Sequence, residues 1–114
     1  MSKRILWVSR HEPLPSQMEA LKRLHNEDTE IVPDPNPFDG AETIVNRYKE
    51  GKFDDMVVVA PLSVLGKLCD MGMNPLYAQM VESTPSEAEL YVRRVPYKFE
   101  RFRRVKRLVL EFFD

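Results

Sequence analysis

The chain has 114 residues, of which 43% are hydrophobic and 31% charged, with a formal net charge of −1; this is the make-up of one globular domain, 1–114, with a real core and room for only a shallow cleft. No apolar run approaches the roughly 20 residues that a membrane-spanning helix needs, and the short stretch Ile5 to Val8 behind Lys3 and Arg4 does not make a secretory signal. One Cys and two His exclude an intrachain disulfide and a zinc cluster, so a cytoplasmic protein with no metal and no cofactor is expected.

In chain order, Ile5-Leu6-Trp7-Val8 predicts a first strand near 4–8, left through the polar, proline-punctuated segment Ser9-Arg10-His11-Glu12-Pro13-Leu14-Pro15. Ser16 with Glu19 three residues on has capping-box form, and Met18, Leu21 and Leu24 recur at helical spacing, which predicts a helix near 16–25 with those residues on its buried face. Thr29 to Val32 predicts a second strand, stopped by Pro33, Pro35 and Pro37. Asp39 and Gly40 start a second helix near 40–50 that carries Ile44, Val45 and Tyr48 inward and ends at Gly51.

Met56 to Ala60, five apolar residues closed by Pro61, is the pattern of a strand buried on both faces, because a half-exposed strand would alternate. Ser63 stands where an N-cap would, ahead of Val64, Leu65, Leu68 and Cys69, and predicts a third helix near 63–71. Beyond Gly72, residues 76–81 suit a fourth strand, 83–86 a turn and 89–95 a strand ending at Pro96; 99–104 is ambiguous and 105–113 looks like a final edge strand. Strands alternating with helices imply α/β architecture: a three-layer Rossmann-like sandwich with a mainly parallel sheet and a C-terminal edge strand or hairpin.

In such a sheet ligands gather beyond the carboxyl ends of the strands, where strand order reverses. An order beginning 2-1-3 would bring Ser9, Arg10, His11 and Glu12 beside Pro61, Leu62 and Ser63, with the third helix's free N–H groups favouring a phosphate. There His11 is a candidate general acid or base and Arg10 a stabiliser of negative charge on a phosphoryl group; the same residues also suit ligand contact without chemistry, or plain surface. With no G-x-G-x-x-G after the first strand, a ribose contact from Asp34 in a dinucleotide site is not expected. Trp7, His25 and Cys69 read as structural.

Charge is uneven: residues 1–92 carry 9 Lys/Arg against 15 Asp/Glu, and residues 93–114 carry 8 against 3. The basic segment 93–107 interleaves cations with Tyr97, Phe99 and Phe102, which suits either nucleic acid or an edge strand guarded by charge. Phe99, Phe102, Phe112 and Phe113 would be exposed in a monomer, so a homodimer is expected.

The residues Ser9, His11, Leu14 and Gln17, between the first strand and first helix, resemble the opening of the small CRISPR-associated Rossmann-fold proteins, relatives of the CARF domains, some of which are ring nucleases that cleave cyclic oligoadenylates. The resemblance covers the first part of the chain and implies a nucleotide or cyclic-oligonucleotide ligand, with Gln17 among its contacts and cleavage without a metal. A non-catalytic sensor or sponge, and a nucleic-acid-binding accessory protein, are the alternatives. Residues 99–110 look like small proteins of bacteria and their phages, from which no activity follows.

Overall fold

The computed structural model describes residues 2–113. Its elements run β1 (Arg4–Val8), α1 (Pro15–Leu24), β2 (Glu30–Asp34), α2 (Ala41–Glu50), β3 (Asp55–Val58), α3 (Leu62–Asp70), β4 (Leu76–Glu82), a 3-10 turn (Pro85–Glu87), β5 (Leu90–Val92) and β6 (Val95–Arg104). The fold is α/β with one mixed sheet in the order β2-β1-β3-β4-β6-β5, parallel from β2 to β4 and antiparallel from β4 to β5. The expected 2-1-3 order is present. Among the described residues no helix is long and apolar enough to cross a membrane.

Alternation along β1 and β3 divides the core. Leu6, Val8, Met56 and Val58 pack with Ala41, Ile44 and Val45 of α2 and Leu65 and Leu68 of α3, whereas Ile5, Trp7 and Val57 pack with Leu21 of α1, Leu76 of β4 and Phe102 of β6. All four β3 residues are buried, as the apolar run implied, but burial stops at Val58 and Val59 is half exposed.

Helix starts differ from expectation. In α1 Leu14 is the N-cap, Pro15 opens the helix, and the Gln17 side chain, rather than Glu19, accepts the Leu14 N–H at 2.8 Å; Ser16 does not cap. The buried residues of α1 are Gln17 and Leu21, one turn apart, while Met18 and Leu24 stay exposed. In α3 Pro61 is the N-cap and Ser63 lies one residue inside the first turn, making no cap hydrogen bond. β2 continues through Pro33 to Asp34 because it is an edge strand, where a missing N–H costs the sheet nothing on its open side.

The C-terminal part departs most. The strand expected over 89–95 is broken at Arg93 and Arg94, whose φ of 51° and 69° form a hairpin turn between β5 and β6, so Val95 opens the next strand and Pro96 pairs with Tyr91 instead of ending a strand. The ambiguous 99–104 is the second half of the longest strand, and the edge strand expected over 105–113 is absent: these residues belong to no helix or strand. Phe99 and Phe102 are covered: their ring centroids lie 4.8 Å apart, and Phe102 meets Trp7 edge to face at 6.3 Å.

β3 and β4 pair only at Val57↔Leu76; β4 then diverges with its hairpin and leaves the top of the sheet split. The opposite end is tied by Asp55. Its buried carboxylate receives both guanidinium nitrogens of Arg104 at 2.7 and 2.9 Å, lies 3.0 Å from His25 Nε2 and accepts the Met56 N–H at 2.8 Å. Hydrogen bonding to Asp55 raises the Arg104 pKa despite the opposing effect of burial.

Two outcomes are expected. Asp55→Asn, which leaves Arg104 without its carboxylate, lowers stability by about 3 kcal/mol in urea unfolding. Replacing Arg93-Arg94 with Asn-Gly, residues at ease with positive φ, raises it by roughly 1–2 kcal/mol.

Candidate functional site

Two clefts open beyond the carboxyl ends of β1 and β3. The first, of about 450 Å³, is lined by Ser9, Arg10 and His11 after β1, by residues 34–38 after β2, and by Val59 and Pro61 after β3. It lies where the chain passes from β1 to β2 on one side and returns to β3 on the other, the reversal point of the sheet. The second, of about 930 Å³, fills the split between β3 and β4; Trp7, Leu14 and Gln17 line it together with Ala78, Met80 and the hairpin residues Leu90 to Arg93. Ser9, His11 and Val59 belong to both.

The loop after β1 is held from beneath. The Trp7 Nε1–H donates to the His11 carbonyl at 2.8 Å, so the core tryptophan fixes the turn that presents His11. The Ser9 Oγ accepts the His11 N–H at 3.1 Å, which leaves the Ser9 hydroxyl proton free to be donated elsewhere. Arg10 and His11 are exposed at the cleft, and among the described residues neither side chain has an ion-pair or hydrogen-bond partner. Other arginines differ: Arg47, beside the cleft, pairs with Asp34, and Arg4, at the far end of β1, pairs with Glu30.

Asp34 lines the first cleft but is occupied internally. Besides Arg47, its carboxylate accepts the Asn36 backbone and side-chain N–H groups at 3.1 and 2.9 Å, which braces the proline-rich loop instead of offering a ribose contact. On the opposite wall, the first intrahelical bonds of α3 run from Val64 and Leu65 to the Pro61 carbonyl, so the Leu62 and Ser63 N–H groups stand at the positive end of the helix.

The expected site residues therefore divide. Ser9, Arg10, His11 and Pro61 meet at the first cleft. Glu12 and Gln17 lie on the second, where the Gln17 amide is engaged by the Leu14 N–H and by Met80 Sδ, at 3.7 Å from Nε2. Leu62 and Ser63 are exposed and line neither cleft. Residues that sequence reasoning left out are Phe38, Tyr77, Met80, Tyr91 and Arg93; the last four come from the hairpin half, whose position depends on where β4 leaves β3. Among the described residues no three His, Cys, Asp or Glu side chains are grouped to hold a metal ion.

Four of the eight cations in the basic segment 93–107 are engaged, Arg101 by its neighbour Glu100 at 4.0 Å and three by other elements. Arg104 goes to Asp55, Lys98 to Glu87 and Arg103 to Gln79. Tyr97, Phe99 and Phe102 are all partly buried, which leaves no fully exposed aromatic of this segment for base stacking.

Trp7→Phe, which keeps the ring but removes the donor to His11, should cost about 1 kcal/mol and speed amide exchange in residues 9–12, read by hydrogen–deuterium exchange. No protein-family model, curated protein or solved structure matches the chain, so its chemistry rests on its own residues.

Proposed function

We propose that the protein is a cytoplasmic Rossmann-like three-layer domain that binds a phosphorylated nucleotide over the carboxyl ends of β1 and β3. The observation that carries this is the guanidinium of Arg10, without a partner among the described residues, standing with His11 and Ser9 at a cleft on the reversal point of the sheet. A phosphate there gains a charge-assisted bond from Arg10 and a hydrogen bond from the Ser9 hydroxyl proton. Pro35, Pro37 and Phe38 provide apolar surface for a base. Among nucleotides, a cyclic oligonucleotide is favoured by the resemblance carried by Ser9, His11, Leu14 and Gln17, and with it a role in antiviral signalling.

His11 also supports phosphodiester cleavage without a metal. His11 is exposed in the cleft that Ser9 also lines, where its imidazole would take the proton of a ligand 2′-hydroxyl as that oxygen attacks the adjacent phosphate, and would return it to the departing 5′-oxygen as the P–O5′ bond breaks and a 2′,3′-cyclic phosphate is left. Binding without cleavage, as in a sensor or sponge, uses the same contacts.

The test is equilibrium binding of cyclic oligoadenylates and of mononucleotides, with products resolved by mass. Arg10→Ala should weaken binding by about 1.5–3 kcal/mol. If the ligand is cleaved, His11→Ala should lower turnover by roughly 10²–10⁴ while binding survives. Intact ligand with tight binding identifies the sensor reading; binding indifferent to Arg10→Ala overturns the site.

A further inference from the structure

The split between β3 and β4 presents two strand edges to each other. Backbone groups of a strand alternate sides, and the Val59 N–H donates to the Val8 carbonyl at 2.9 Å, so Val58 and Ala60 turn theirs towards β4. On β4 the phase is fixed at both ends: the Val105 N–H donates to Pro75 and the Ser83 N–H to Pro96, so the odd-numbered residues face β6 while Ala78 and Met80 face β3. The irregularity between Gln79 and Met80 skips a residue of β6, not of β4, which keeps this alternation intact. Beyond Val57↔Leu76 these edges have no strand partner among the described residues, and Trp7, Leu14 and Val92 make the space between them largely apolar. Unpaired backbone groups in such a setting are costly, and a strand laid between them removes the cost.

At the other end of the chain, Leu108, Val109, Leu110, Phe112 and Phe113 follow β6 outside any helix or strand and are exposed. Leu108 rests against α3, where a Cβ on Gly66 would lie 3.3 Å from it.

We propose that residues 108–113 of a second copy insert as a strand between β3 and β4, reciprocally, to give a strand-exchanged dimer. The lengths agree on the β4 side, since the six residues 108–113 extend about 20 Å at the strand rise, as do the six residues 77–82 that β3 leaves unpaired, while on the β3 side the strand meets residues 58–60 before α3 begins at Leu62. The area suffices as well. Phe112 and Phe113 bury roughly 150–250 Å² each, and with the cleft walls they cover, two insertions pass the roughly 1,200 Å² at which stable interfaces begin. Glu111, the tail's single charge before the terminal residue, meets a rim that holds Arg93 and His11 along with Glu12. Because Ser9, His11 and Val59 are shared with the first cleft, the partner's strand completes a wall of the proposed nucleotide site, yet the dimer stands independently of what that site binds.

The test is light scattering of the full chain at high micromolar concentration beside a variant ending at Arg107, with circular dichroism checking that both are folded. The full chain should be dimeric and the truncated chain monomeric. A synthetic peptide of residues 105–114 should then bind the truncated chain and change the fluorescence of Trp7, the single tryptophan, on the cleft wall. Ala78→Pro removes an N–H that β6 does not use, and should weaken peptide binding by about tenfold or more. A monomeric full chain, a dimer that survives truncation, or a peptide that binds Ala78→Pro equally well overturns the proposal.

Discussion

A buried carboxylate must find its hydrogen-bond partners inside the protein, and Asp55 finds them on three elements. Its ties to His25 at the end of α1, to Arg104 at the end of β6 and to its own strand's Met56 N–H set α1, β3 and β6 against one another at a single point. Removing a charge from water is repaid only if such partners are well placed, so these three elements cannot drift apart at that end without exposing or orphaning a charge. At the other end, among the described residues, no buried carboxylate ties β3 to β4, and Ser16 and Gln17 of α1 reach the hairpin half through Glu89 and Met80. There β3 and β4 separate after one pairing, and the two clefts occupy the space. A molecule closed at the amino end of its parallel strands and open at their carboxyl end is the physical reason that any site has room to exist.

What was legible in the sequence is what local pattern controls. The Val-rich run behind Asp55, the apolar Ile5 to Val8 and the helices between Pro and Gly boundaries announce themselves, because burial on both faces and helical spacing each leave a period. The 2-1-3 order and the meeting of Ser9, Arg10 and His11 with Pro61 follow from that skeleton. What failed depended on distant partners. Pro33 lies in a strand because nothing pairs on its outer side, and the Arg93-Arg94 turn carries neither the Gly nor the Asn that positive φ ordinarily calls for. Asp55 itself gave no sign, since an acidic residue ahead of a strand looks like loop until Arg104, 49 residues later, folds back on it.

The first cleft and the loop above it are linked to the core by one tryptophan. Trp7 is buried against Phe102 and Leu21 yet sends its indole N–H to the His11 backbone, so packing on the α1 face reaches directly into the loop that carries the exposed Arg10 and His11. Adjacent polar residues on a free loop are usually only solvated. Held in this way, they present a set geometry.

The single pairing between β3 and β4 also bears on how the chain assembles during synthesis. Strand pairings before it close within residues 4–58 and those after it within 76–104, so each half has near neighbours to find. The N-terminal half leaves the ribosome first with its strands and three helices complete, but without Phe102 or Arg104. Trp7 and Leu21 then wait without Phe102, and Asp55 has only His25 and the Met56 N–H as partners. The last strand to be made is therefore the one that seals the α1 face, and a nascent chain stalled before residue 102 displays an apolar surface for chaperones to shelter.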